Sequence, residues 1–575
     1  MSQFHAPASS CERRLLILSL AVLLSACGSD GGSPTPPPTP TVLSVGVSGA
    51  PILSAGSTSQ LSAIASLAGG AAQTVTGTAT WQSSNAAVAT VSAGGLVTAV
   101  SAGTARITAT YQGNEGSFGV LVSTRIASLA VGGVTSLSAL GSASQLTATA
   151  SLDGGGGGGS TQNVTARAAW QTSNAAVAAV SASGLITAVS AGAATITATY
   201  QGQSASTTVS IATSTPSPVS SCQAITTPGV YSLTTDISAA VRQCIQIQAP
   251  NVDLECHGHA VADSGTAIAI LAAATNAIVN GCTATTTAQF AAGIDVESAH
   301  GVSISNSTMA SPRYRGVIVN QSSNVSVSNS TISGAWGAIL VSASQYALVL
   351  NNQLSIIPSP SVSVDLLATQ GSHNTFSQNQ ISGAPAQASD DAILLNTEDS
   401  DLIDGNTMQN FFDAGFESVG PLTNTTIVGN TITNVGTAGI ASYWSTFWSG
   451  NTVIANHISQ SAGAINIAYD GILPAGEPQT PLASTITFQN NMFAANIVDA
   501  TIHDPVLINF AGLGGGSGSP LPQPLVASNN VFLDNVLPVA ARGPYLIPTS
   551  AFVDGGGNVC GANSTLIRCA NAGHP

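Results

Sequence analysis

Asn379 to Met408 reads NQISGAPAQASDDAILLNTEDSDLIDGNTM. The stretch opens and closes on one motif: Asn, one residue, then an apolar residue. The motif recurs at Asn280-Gly-Cys282, Asn352-Gln-Leu354, Asn379-Gln-Ile381, Asn406-Thr-Met408, Asn430-Thr-Ile432, Asn456-His-Ile458, Asn490-Asn-Met492 and Asn529-Asn-Val531. Ser307-Thr-Met309 and Ser330-Thr-Ile332 fill the missing turns. Successive anchors from Cys282 lie 27, 23, 22, 27, 27, 24, 26, 34 and 39 residues apart. Most are followed by a small residue and a short apolar strand, as at Gly316-Val-Ile-Val, Ala338-Ile-Leu-Val, Ala392-Ile-Leu-Leu and Gly439-Ile-Ala-Ser. A period in the twenties built from short strands predicts a solenoid, whose turns bury a core only by stacking. The recurring Asn has a structural role there. Its amide can bond to the next amide at a strand spacing of ~4.8 Å, and Asn tolerates a left-handed turn.

Composition agrees. The chain has 575 residues, 44% hydrophobic and only 6% charged, with 59 Gly, ten Arg, no Lys and a net charge of −15. Helix surfaces are usually built from Glu, Lys and Arg, so an all-β chain is expected. The acidic balance excludes a nucleic-acid partner, which needs basic patches. The absence of Lys excludes Schiff-base and P-loop chemistry.

Arg13 and Arg14 precede an apolar run, Leu15 to Leu24, ending in Leu24-Ser25-Ala26-Cys27. The layout is that of a secretory signal. Leu-Ser-Ala-Cys resembles the bacterial lipobox. The resemblance implies lipidation of Cys27 and, with Gly28 and Ser29 following, placement at the outer membrane or cell surface. Residues 28–41, with five Pro, form an extended tether.

Trp81 to Gly113 and Trp170 to Gly202 differ at six of 33 positions. They are two copies of one module. Alternating runs such as Arg106-Ile-Thr-Ala-Thr-Tyr111 read as strands with one buried face. The pattern W-x-S-S-N-x-x-V-A-x-V, then G-L-V-T-A-V-S-A-G-T-A, resembles the bacterial Ig-like group 2 domain. It implies sandwich spacers over 42–123 and 124–212, with Gly154 to Gly159 as a loop insertion. Residues 213–221 (TSTPSPVSS) read as a linker.

From residue 222 to 575 the coil pattern resembles the right-handed parallel β-helix family of carbohydrate-active proteins. Asn251-Val-Asp-Leu-Glu-Cys-His-Gly-His-Ala-Val261 is similar to its opening turn. The two imidazoles of His257-Gly-His259 read as part of that turn rather than as metal ligands. The resemblance implies a polysaccharide partner. The fold hosts lyases, hydrolases and non-catalytic adhesins alike.

Beyond Cys11 and Cys27, six Cys remain, an even number that suits disulfides in an oxidising compartment. Cys256 and Cys282 are one coil apart. Cys560 and Cys569 are close in sequence, and Cys222 and Cys244 are left over. Fifteen pairings are formally open.

Eight of the 25 acids fall between Asp390 and Glu417. Aligned on the small-apolar strand, Asp390 stacks on Asp413. Asp391 shares a row with Arg315, three coils earlier. Glu417 points outward, with Asp365 placed in its row two coils before. Carboxylates one coil apart would be ~5 Å apart, the separation of a retaining glycosidase pair. Asp390, Asp391, Asp413 and Glu417 are therefore the candidate catalytic acids. Glu398, Asp399, Asp401 and Asp404 are candidate calcium ligands, or simply a solvated acidic loop. Tyr443, Trp444, Trp448 and Tyr469 read equally as a sugar platform or a packed corner. Arg313 and Arg315 could meet a sugar carboxylate. Asp390-Asp391 matches one element of the polygalacturonase pattern, Asn396-Thr-Glu departs from another, and the Gly-His-Gly and Arg-Ile-Lys elements are absent. Two functions stay open: a lipid-anchored protein that binds and cleaves a polysaccharide as lyase or hydrolase, or a non-catalytic adhesin.

Overall fold

Thr308–Ser311, Arg315–Asn320 and Ser326–Ser328 make one turn of the solenoid. Each strand pairs in parallel with its counterpart one turn on, Thr331–Gly334, Gly337–Ser342 and Leu348–Leu350. Alternation sends one or two apolar side chains per strand inward. Met309, Ile332 and Leu354 stack on one face, Val317, Ile339 and Leu366 on the second, and Val327, Val349 and Phe376 on the third, all fully buried. Stacking continues through Phe416, Ile440 and Ile465, which gives one continuous core. The computed structural model describes residues 41–509 except 51, 69–71, 102, 124–125, 153–160, 358–363, 384–390, 443–446, 468–485, 490, 495 and 499–503, and five further strands between 525 and 560. The signal, Cys27, the tether, Asp390, Tyr443, Trp444, Tyr469 and Cys569 lie outside the described residues.

The asparagines form a ladder. Asn379 donates its backbone N–H and its side-chain Nδ2 to Asn406 Oδ1, at 2.9 Å each. Asn406 repeats this on Asn430, Asn430 on Asn456, and Asn456 on Asn496. Each Nδ2 also donates to a core-strand carbonyl, as from Asn406 to Phe376 O at 2.8 Å. Ser330, Ser307 and Cys282 begin the row.

Three sequence anchors are thereby corrected, the third being Val531, which is level with Met492. Cys282, not Asn280, holds the first rung, since Ala284 is level with Met309. Asn496, not Asn490, follows Asn456, because Thr452 pairs with Met492 and that segment belongs to a second row. The second row runs Asn374, Asp401, Thr425, Asn451 and Asn491, each N–H donating to the next side chain.

Disulfides join Cys222 to Cys244 and Cys256 to Cys282, with Cα atoms 4.4 and 4.7 Å apart, one strand spacing. His257 and Gly258 take left-handed φ values, +52° and +83°, at the turn between them. The linker is shorter than its composition suggests. Ser217–Val219 already pairs in parallel with Tyr231–Leu233, because its alternating apolar residue, Val219, is buried in the solenoid core.

Both Ig-like modules are mainly antiparallel sandwiches, each with one parallel pairing. Trp81 and Trp170 donate Nε1–H to Thr76 O and Thr165 O at 2.9 and 3.0 Å. Gly95 and Gly184 (φ +80° and +81°) lie under these indoles, where a Cβ would come within 2.8 and 2.7 Å of ring carbons. The second module docks on the solenoid flank. Ile278 of the solenoid joins Leu137 and Leu146 in one apolar cluster. Arg167 makes a two-pronged ion pair with Asp404, at 2.8 and 2.9 Å, and Ser142 Oγ donates to Asp253 at 3.0 Å. Asn280 Nδ2 donates to Gly141 O and to Glu255 Oε2, at 3.3 and 2.8 Å.

Two predictions follow from these contacts. Asn406→Ala leaves two N–H groups and one carbonyl buried without partners, so urea unfolding should show a loss of about 3 kcal/mol. Asn434→Ala, which removes an exposed bond to Asn410, should cost less than about 0.5 kcal/mol. Burial, then the charge of Asp253, pushes Glu255 from 4.5 up to about 8. The folded state then holds a proton that the unfolded state has lost, so stability is full below pH 4.5 and falls as pH rises towards 8. Melting temperatures measured across that window should fall less steeply for Glu255→Gln.

Candidate functional site

The turn that leads into the second strand of each coil gathers the chemically distinctive side chains. Asp391 precedes Ile393–Asp399, and Asp413 precedes Ala414–Thr423, which carries Glu417. Ile393 is level with Phe416. That register brings one carboxylate oxygen of each of Asp391, Asp413 and Glu417 within 4.8 Å of the others. Asp391 Oδ1 accepts the Ala414 N–H at 3.0 Å. Asp413 is half-buried and accepts the Thr437 hydroxyl. Burial raises its carboxyl above the ordinary aspartate range. Asp391 and Glu417 are buried, so Asp413 is the member of the trio that solvent reaches most readily.

Glu417 departs from expectation in two ways. Its row carries Leu394 and Leu367, not Asp365. Asp365 comes one residue before the inward-facing position of its coil, whereas Glu417 comes one after. Glu417 is also only 6% exposed, although it alternates with the inward Phe416.

Other candidates have structural partners. Arg315 is level with Gly337, and through Val364 with Asp391, but it is buried. Its Nη1 donates to Val364 O at 2.7 Å and Ile339 O at 3.4 Å. Gly337 leaves it room, since a Cβ there would lie 2.3 Å from that nitrogen. Burial pulls Arg315 down to about 10 and holds the fully enclosed Asp365 well above its usual range. Neither Arg315 nor Asp365 therefore contacts a ligand at the surface, which corrects their assignment to substrate binding. Arg313 is exposed.

Trp448 is corrected too. It is 2% exposed, stacks on Phe488 and Phe493 at 5.8 and 6.1 Å, and donates Nε1–H to Ser418 Oγ. It packs the core because the coil register points it inward opposite Leu422.

The four candidate calcium ligands do not converge. Glu398 accepts from Gly371 N and Asn374 Nδ2. Asp399 accepts from Ser400, Thr423 and Asn424. Asp404 pairs with Arg167. Asp401 fills an asparagine's place in the second ladder. Burial, then Glu398, holds its carboxyl well above the usual range.

Sequence reading missed one group on the same turn. Phe290, Tyr314 and Trp336 occupy successive coils, with ring centroids 5.6, 5.7 and 5.3 Å apart. Phe290 is 60% and Trp336 39% exposed. Each is a lone aromatic in its segment. Their separations, 24 and 22 residues, match the coil period and were the signal available.

Comparison with known proteins places two domain types in the chain. The bacterial Ig-like domain (group 2) matches residues 41–121 and 157–211, and the right handed beta helix region matches 361–493. The periplasmic copper-binding protein (NosD) family matches 232–418. No curated protein matches the sequence. Among solved structures, the S-layer protein rSbsC(31-844) is 20% identical over 32% of this chain and 30% of its own, with a TM-score of 0.17. The chain thus spans less than a third of that protein. The polygalacturonase from Erwinia carotovora is 11% identical over 52% of this chain and 90% of its own, TM-score 0.33. The alginate lyase from Paenibacillus sp. is 11% identical over 56% and 99%, TM-score 0.31.

Copper does not fit the residues described within the NosD match. Cys244, Cys256 and Cys282 are in disulfides, Met309 and Met408 are enclosed in the core, and His259 pairs with Asp236. Among the described residues, the one group of three or more close His, Cys, Asp or Glu is the carboxylate trio, whose oxygen donors suit hard cations. Tryptophan fluorescence should therefore show no saturable response to Cu(II) at micromolar concentration that is lost with His300→Ala or His373→Ala.

Proposed function

We propose that the chain is an exported lipoprotein, anchored through Cys27, whose β-helix binds a polysaccharide and hydrolyses it at the Asp391–Asp413–Glu417 cluster. The observation that carries this reading is the convergence of three carboxylates from two coils within 4.8 Å. Carboxylates this close disfavour one another's ionisation. Asp413, half-buried and raised by burial, is the one placed to give a proton to a glycosidic oxygen. Glu417, on the same strand, is the carboxylate that attacks or activates water. Oxygens this close leave too little room for the water of an inverting pair at ~6.5–9.5 Å and favour the retaining arrangement at ~5–5.5 Å. Asp391, tied to Ala414 N, positions the other two. The trio also offers the oxygen ligands that calcium takes.

A second reading, a non-catalytic adhesin, is favoured by the burial of Asp391 and Glu417. The two separate on incubation of the mature protein with neutral and acidic polysaccharides, with and without calcium, followed by mass spectrometry of products. Saturated oligosaccharides are expected, and Asp413→Asn should slow their release about a hundredfold or more. Unsaturated ends would replace hydrolysis by elimination. No products from folded protein would favour the adhesin. For the anchor, Cys27→Ser should move the protein from the detergent phase to the aqueous phase in phase partitioning, and unchanged partitioning would remove the lipid from the account.

A further inference from the structure

Phe290, Tyr314 and Trp336 are three aromatic side chains at the surface of a chain that has only 5% aromatic residues. Each sits in the turn that enters the second strand of its coil: before Ile294–Glu297, Arg315–Asn320 and Gly337–Ser342. Ring contacts run from each to the other two, at interplanar angles of 73°, 88° and 59°. Edge-to-face contacts of this kind hold rings in place, so the cluster is ordered before any ligand arrives. Yet Phe290 and Trp336 still turn 60% and 39% of their surface to solvent. Rings that served only the fold would be buried here, as Trp448 is.

The row containing the cluster continues to the acids. Ile339 is level with Leu366, Leu366 with Ile393, and Ile393 with Phe416. Trp336 and Asp413 therefore stand on the same turn three coils apart, about 14 Å at ~4.8 Å per coil. Phe412, 65% exposed, lies beside Asp413. Exposed apolar rings thus mark both ends of the segment. Arg313, exposed, adjoins Tyr314 and brings a positive charge to the aromatic end.

We propose that Phe290, Tyr314 and Trp336 form a binding subsite for an extended pyranose chain running parallel to the solenoid axis towards Asp413. A pyranose presents an apolar face that packs on an aromatic ring, while its rim keeps its hydrogen bonds to water. With all three centroids 5.3–5.7 Å apart, the rings make one compact apolar patch, on which one sugar of the extended chain packs. The aromatic cluster supplies affinity without chemistry, and the chain it holds is carried over the carboxylates. This subsite rests on the glycan reading above but not on cleavage.

The test is affinity electrophoresis of the full mature protein in gels containing hydroxyethylcellulose, glucomannan, alginate or polygalacturonate, run in an Asp413→Asn background so that turnover does not consume the probe. The background protein should be retarded by at least one of these polysaccharides. Trp336→Ala and Phe290→Ala should each weaken retardation about tenfold, and Trp336→Phe should restore most of it. Retardation by neutral gels alone would mean stacking suffices. Retardation only by acidic gels, reduced by Arg313→Ala, would mean the sugar carries an anionic group at that end. Both outcomes support the subsite. Unchanged retardation in the Ala variants, with thermal melts like the parent's, would overturn it even if Asp413 proves essential for turnover. Loss of self-association rather than glycan retardation, read by sedimentation, would overturn it as well. Absence of retardation by every polysaccharide would overturn both the subsite and the glycan reading.

Discussion

The buried amide of the asparagine ladder is the interaction on which the rest of the solenoid depends. A coil must turn sharply at each corner, and every corner exposes backbone N–H and C=O groups to an apolar interior. Leaving them unpaired would cost about 1–3 kcal/mol each. One Asn side chain answers both needs. Its Oδ1 accepts the N–H of the coil before, and its Nδ2 reaches a carbonyl on a core strand, as Asn430 does to Ile403 at 3.0 Å. Because rungs repeat at the strand spacing, the same geometry fixes the register of all three faces. That register decides which side chains converge at the surface.

The carboxylate trio follows from this constraint. Asp391 and Asp413 lie in the corner segment, where the chain leaves one face for the next, and Glu417 lies on the strand that follows. The ladder rows on either side keep the coils in step, so the stacking of coils brings the acids together. Docking of the second Ig-like module adds rigidity on another flank. Arg167 and Asp404 pair there with one member part-exposed, a contact whose main effect is orientation rather than stability.

Much of the fold was legible in the sequence because the ladder residues are spelled out. Asn352, Asn379, Asn406, Asn430 and Asn456 hold their rungs as the spacing required. Register failed where chemistry substituted for spelling. Ser307 and Ser330 do the work of Asn, Cys282 holds its rung beside a disulfide, and Asp401 enters the second ladder as an acid, which made it look like a metal ligand. The motif Asn490-Asn-Met492 carried the right letters, but Met492 is level with Thr452 in the second row. The site was legible only in part. The alignment stacked Asp390 on Asp413 and put Asp391 in the row of Arg315, but it misjudged depth, since alternation tells which way Glu417, Arg315 and Asp365 point and not what covers them. Trp448 lay in the most aromatic stretch of the chain and proved to be core, whereas the isolated Phe290, Tyr314 and Trp336 form the exposed cluster. Contacts between modules, such as that from Ser142 to Asp253, left no periodic trace at all.

The central claim is that Asp413 and Glu417 act as a closely spaced pair on a glycosidic bond. Proton NMR of the first sugar released, recorded before mutarotation, tests it most directly. The account predicts that the anomeric configuration of the cleaved linkage is retained. Inverted product would contradict it, because inversion needs a water between carboxylates that stand further apart than these do.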